Sequence, residues 1–201
     1  MASFLELCGR RISTLIVLFF GTPRLHKGLD TLAKAVNAIK DKDFRLLIVG
    51  STTDRSVTNK LDSLAPDRII YMPNQPFNDI PKILSMANVV CLPQNQDHAI
   101  SKYQLPAKAI DAIAMGVPLL VSRTEPLMDL VDHGVARLID FQNLPETLEQ
   151  VGSRNFHNNQ DQKSLRDKFL SHYSYQSSAK AIRQVLERAI STRQPEKKHR
   201  Q

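Results

Sequence analysis

The feature that most constrains this chain is an alternation. Six short apolar runs stand at Thr14 to Phe20, Arg45 to Gly50, Arg68 to Met72, Asn88 to Pro93, Pro118 to Ser122 and Val135 to Asp140, with helical spacing between them. After the first run, GTPRLHKG leads into LDTLAKAVNAIK, where Leu29, Leu32, Ala33, Val36 and Ile39 recur at the period of one helix face. Shorter helices are predicted through Lys60 to Leu64 and over IPKILSMA, PAKAIDAIAMG and EPLMDLVDHG. The third of these has proline near its start and glycine at its end, as helix termini favour.

Strands separated by helical crossovers cannot be hairpins. The pattern therefore predicts an α/β fold, a Rossmann-like parallel sheet with helices on both faces, whose ligands bind beyond the carboxyl ends of the strands. The remaining NLPETLEQVGSR and QSSAKAIRQVLERAI read as two amphipathic helices on the sheet's flank, joined by the polar RNFHNNQDQ and the aromatic FLSHYSYQ. A chain of 201 residues fits one such domain. Its expected bounds are 14–192, with an N-terminal extension at 1–13 and a disordered basic tail at 193–201.

Several classes are excluded or disfavoured at this level. With Cys8 and Cys91 as the whole cysteine content, a disulfide scaffold or a four-cysteine zinc site is ruled out, and a reducing compartment is expected. The Thr14 to Phe20 run is far short of the roughly 20 residues of a spanning helix. Arg10 and Arg11 ahead of it mimic a signal peptide, but no small-residue cleavage site follows, so a cytoplasmic protein is expected. The net charge is +7, of which the terminal RQPEKKHRQ carries +3. No aromatic residues interleave with that stretch as a stacking surface requires, and nucleic acid is not an expected partner.

Two segments can carry chemistry. In FGTPRLHKG, Arg24 and Lys27 stand just ahead of a helix amino terminus, where free amide donors and the dipole already favour an anion. This is either a diphosphate clamp or a solvated basic turn. In YQLPAKAIDAIAMGVP, Lys108 and Asp111 are three apart on a helix. They offer either a cation for phosphate and a carboxylate for ribose hydroxyls, or an ion pair on a wet surface. Neither a GxGxxG nor a Walker motif is present. His133 before Gly134 reads as a helix terminus, Met115 and Met128 read as core filler, and Tyr71 and Phe77 either flank a base or, for Tyr71, pack in the core.

Together these segments resemble the donor-binding domain of GT-B glycosyltransferases of glycosyltransferase group 1. FGTPRLHKGLDTL is similar to the family's phosphate loop, RLLIVG to its second strand, NVVCLP to the strand entering the sugar site, and PAKAIDAIAMGVPLLVS to its proline, lysine and acid signature. EPLMDLVDHGVARLI resembles the segment that follows. The resemblance runs from Thr14 to Ile190 and implies a nucleoside-diphosphate sugar as ligand. It implies Arg24, Lys27 and Lys108 on the diphosphate and Asp111 on the ribose. Sugar or base contacts are implied near Gly21, Met72, Tyr103 and Gln104.

The resemblance further implies hexosyl transfer with retention, in pathways such as polysaccharide synthesis, with no cofactor and no obligatory metal. Where the family places a sugar-contacting acid, this chain has Tyr103, or Ser101 by a second count; Asp97 and His98 are nearby. No acceptor domain fits within this length. The expected partners are therefore the nucleotide sugar, a separate acceptor-domain chain and a peripheral membrane contact. The alternative is a non-catalytic remnant that acts as a binding or interaction protein.

Overall fold

The computed structural model describes residues 14–41, 43–152 and 159–192. The expected extension at 1–13 and tail at 193–201 lie outside the described residues. Six strands form one sheet: β1 (Leu15–Phe20), β2 (Phe44–Val49), β3 (Ile69–Met72), β4 (Val89–Leu92), β5 (Leu119–Val121) and β6 (Arg137–Leu138). Their order is β3-β2-β1-β4-β5-β6, and every pairing is parallel. β1 runs in register with β2 from Leu15 opposite Phe44 to Phe20 opposite Val49, and its other edge meets β4 at Val17 opposite Val89. The winding direction reverses between β1 and β4. That reversal opens a crevice at the carboxyl edge of the sheet, where two neighbouring crossovers depart to opposite faces.

Around the sheet lie α1 (Leu29–Ala38), α2 (Arg55–Leu64), α3 (Ile80–Met86), α4 (Ala99–Tyr103), α5 (Ala107–Ala114), α6 (Glu125–Asp132), α7 (Leu144–Gly152), α8 (Asn159–His172) and α9 (Tyr175–Thr192). Alternate residues of the central strands feed two cores. Phe19, Leu46 and Ile48 pack with Leu32 and Val36 of α1, Leu61 of α2 and Leu148 of α7. Leu18, Leu47 and Val90 pack on the other face with Ile83 of α3, Ala112 of α5 and Leu130 of α6. Burial on both faces explains why the strands read as continuous apolar runs rather than as alternating ones.

The structure departs from the sequence reading in several places, among them the unpredicted α4. α2 starts at Arg55, earlier than predicted, because Asp54 caps it by accepting from Ser56 N at 2.9 Å. The stretch expected as a polar link and an aromatic segment contains α8, packed on α5. Its sequence is mostly polar, and only Leu165 and Phe169 reach the core, so its periodicity is faint. Met115, expected in the core, caps the C-terminus of α5 and is 39% exposed. Finally, α9 does not lie on the sheet's flank but packs chiefly against α8.

Candidate functional site

The site is built where β1 and β4 hand over to their helices. β1 ends at Phe20, and the chain turns through Gly21 and a short 3-10 turn, Leu25–Lys27, into α1. Gly28 ends that turn with φ at 72°, and a Cβ there would stand 1.8 Å from the Pro93 carbonyl oxygen, so only glycine lets the turn press against the exit of β4. The β4 exit in turn carries residues 93–97 to α4 and then α5. The amide of Asn95 donates to the His26 carbonyl at 3.2 Å, and the His26 and His98 rings stack at 4.3 Å and 8°. The two loops are therefore one unit.

Within this unit the cations converge. A Cβ on Gly21 would meet Lys108 Nζ at 2.8 Å, so the ammonium lies directly over the first turn, with its charge 4.8 Å from the Phe19 ring centroid. Burial first and the charge of Lys27 second pull the Lys108 ammonium down to about 8. Lys27 is lowered by burial and by Arg24, while its Nζ donates to the Thr22 carbonyl at 2.9 Å. His26 is lowered by burial, then by His98, Lys27 and Arg24, which favours a neutral ring. Among the described residues none of Arg24, Lys27 and Lys108 pairs with a carboxylate. Three positive groups without a counter-charge make a place for an anion.

Asp111 follows on α5, half-buried, and burial raises its carboxyl. The alternative of a Lys108–Asp111 ion pair is not realised. The remaining sequence candidates stand outside the cation cluster. Met72 is 9% exposed with its side chain in the core, and its carbonyl accepts from Gly50 N at 2.8 Å. Tyr103 is 83% exposed at the end of α4, and Gln104 beside it is also exposed. Tyr71 is neither core nor free. Its hydroxyl donates to Asp62 at 2.8 Å, and burial followed by that carboxylate pushes its phenol up. Ser51 and Asn74 bracket the loops after β2 and β3, each amide donating to the other's side chain at 3.0 and 3.2 Å.

Sequence reasoning noted His98 only as a neighbour of the expected acid and missed Gln94 and Thr124, and all three enclose polar atoms at the same edge. Gln94 Oε1, His98 Nδ1 and Thr124 Oγ1 are buried without a hydrogen-bond partner. Thr124 sits in the N-cap position of α6, yet its hydroxyl makes no cap bond. A threonine ahead of a helix signals a cap, so nothing in the sequence marked it as unused. A cavity of about 450 Å³ lies on the α1 side of the 93–97 loop, between Gly28, Thr31, Gln94, Asp97 and Phe141. A second, of about 220 Å³, lies at the opposite edge of the sheet between Pro118, Ala136 and Leu165.

Strand order, crevice and unpaired cations define a Rossmann-type domain of the kind that forms half of a GT-B fold. The family model of the glycosyl transferases group 1 matches residues 14–153, more than half of the chain, and the chain belongs to that family. No curated protein matches it significantly. Among solved structures it is similar to sucrose-phosphate synthase from Thermosynechococcus elongatus, at 18% identity and a TM-score of 0.70 over 94% of this chain and 48% of that one. A glycosyltransferase from Rickettsia africae matches at 14% and 0.73, over 92% of this chain and 50% of that one. HepE of Anabaena, solved in complex with UDP-glucose, matches at 15% and 0.65, over 90% and 49%. The chain thus spans about half the length of these structures, and at such identities the likeness is one of fold.

Proposed function

We propose that the crevice binds a nucleoside-diphosphate sugar and serves as the donor side of a retaining, metal-independent hexosyltransferase. The observation that carries this reading is the placing of Lys108 over Gly21 and of Lys27 on the Thr22 carbonyl beside it, with no carboxylate among the described residues to neutralise them. Arg24 reaches the outer phosphate from the exposed turn, and Lys27 and Lys108 hold the inner oxygens. Asp111, unpaired, accepts from the ribose hydroxyls. Because the Met72 side chain is in the core, the base rests on the backbone from Pro73 to Gln75 and on Gly21. The sugar extends toward Tyr103 and Gln104.

As the bond from the anomeric carbon to the diphosphate oxygen breaks, its electron pair passes to the leaving diphosphate. The three cations stabilise that growing charge without moving, the work a divalent metal does elsewhere. The acceptor hydroxyl, held by a second α/β half as the half-length match suggests, forms the new bond to the anomeric carbon and gives its proton to the leaving diphosphate. Tyr103, where the family's acid is expected, favours a second reading in which the chain binds the nucleotide sugar without transferring it. Calorimetry with uridine, guanosine and adenosine diphosphates and their hexose conjugates tests the shared premise. Saturable binding of one base series is expected, and no heat at millimolar ligand overturns it. Transfer restored by adding a chain that supplies an acceptor half separates the two readings.

A further inference from the structure

The parallel ladder between β2 and β3 does not stop with the strands. Val49 lies opposite Met72 at their carboxyl ends, and one step on the Gly50 amide still donates to the Met72 carbonyl at 2.8 Å. Beyond that step side chains take over the rungs. Ser51 N donates to Asn74 Oδ1 at 3.0 Å, and Asn74 N donates to Ser51 Oγ at 3.2 Å. On the other side the Gly21 amide donates to the Val49 carbonyl at 2.8 Å, so the bracketed loops are tied to the turn over which Lys108 lies.

The bracket fixes a main chain whose side chains are committed elsewhere. Met72 is in the core, Asn74 accepts from Ser51, and the Gln75 side chain donates to the Pro73 carbonyl at 2.9 Å. Pro73 and Pro76 flank this pair of residues and have no amide to give. The Asn74 amide is spent on Ser51, which leaves the Gln75 amide without a partner among the described residues, with the carbonyls of Asn74 and Gln75 before and after it along the chain. One donor between two acceptors can pair with the edge of a nucleobase. The two rungs themselves are solvent-exposed and contribute little to the fold.

We propose that Ser51 and Asn74 are positioning residues for the base: they hold the Gln75 amide and its neighbouring carbonyls in register with Gly21, so that the base is met at the span the diphosphate clamp sets. The proposal rests on the reading of the crevice as a nucleoside-diphosphate site and names what places its base-reading backbone. Neither residue touches the ligand. Loosening the bracket costs the base its contacts and leaves the cations where they are.

Calorimetry of the full chain with ribose 5-diphosphate, which lacks only the base, and with uridine, guanosine and adenosine diphosphates isolates the base. The tightest nucleoside diphosphate should bind the parent more tightly than ribose 5-diphosphate, and the ratio of the two affinities measures the base contacts. Ser51→Ala and Asn74→Ala should each cut that ratio about fivefold, what one hydrogen bond is worth, with ribose 5-diphosphate affinity held within about twofold. Their melting temperatures should stay within about 2 °C of the parent. Ser51→Thr, which keeps the hydroxyl, should restore the ratio. A ratio that neither alanine variant moves overturns the proposal, and so does a parallel loss for ribose 5-diphosphate, which would mark the bracket as support for the whole turn. Equal affinity of the parent for ribose 5-diphosphate and every nucleoside diphosphate also overturns it while leaving the diphosphate clamp in place. A parent that binds none of these ligands removes the crevice reading itself, and this inference with it.

Discussion

The two edges of the sheet each bury a cation, and they treat it in opposite ways. At the amino edge Arg68, 3% exposed and just ahead of β3, donates to the carbonyls of Ile39 at 2.7 Å, Asp41 at 2.8 Å and Phe44 at 3.0 Å. It closes the C-terminal end of α1 onto the entry of β2, where unpaired carbonyls and the negative end of the helix dipole welcome a fork of donors. At the carboxyl edge Lys108 has an aromatic ring, one neighbouring cation, Lys27, and no acceptor among the described residues. One charge completes the fold. The other stands without an acceptor among the described residues, and burial makes its charge costly to the fold.

The comparison breaks most sharply at the crevice. With Lys27 and Lys108 both changed to alanine, nucleoside-diphosphate affinity should fall by on the order of a thousandfold, since two charge-assisted contacts are lost. Calorimetry that finds affinity within about threefold of the parent would remove the diphosphate assignment. At the other edge Arg68→Met should destabilise the fold by about 3 kcal/mol, because the carbonyls of Ile39 and Phe44, in buried bonds, and of Asp41, in a half-buried one, lose this donor. Urea unfolding measures it, and ligand affinity among the surviving folded molecules should be unchanged.

A gentler test uses pH. A bound diphosphate favours the ammonium form, and free Lys108 gives up its proton near about 8. Affinity should therefore hold at neutral pH and drop roughly tenfold between about pH 7 and about pH 9, with proton uptake on binding visible as buffer-dependent heat. A flat profile would mean that Lys108 does not touch the ligand. The smallest effect has the opposite sign. Lys108→Met should stabilise the free protein at neutral pH by on the order of 1 kcal/mol, the relief of burial being partly offset by the lost contact with Phe19. The lysine's pKa in the fold lies below its ordinary 10.5, so the parent should gain stability as pH rises from about 8 toward 10.5, and the variant should not.

The parts of this protein that sequence could reveal are those governed by local repetition. β1 was legible because LIVLFF is apolar throughout and stops at glycine, and α1 because its buried residues keep helical spacing. Arg24, Lys27 and Lys108 were legible as residues at strand-to-helix junctions. That Lys108 arrives over Gly21 was not, since the two are far apart along the chain and meet only because β4 lies beside β1. α8 escaped for a related reason: with few apolar contacts of its own, it is held by its place against α5. Arg68 looked like the polar lead-in to a strand, and the three carbonyls that enclose it come from a different crossover.

What the sequence alone determined, then, is the succession of the six strands with most of the helices between them and the kinds of charge placed at their junctions, because periodicity and turn chemistry act over a few residues. Only the tertiary structure decided which charges are satisfied and which elements meet. Pairing in three dimensions sets the neighbours of Lys108, Arg68 and α9, and desolvation and hydrogen bonding depend on neighbours rather than on position along the chain.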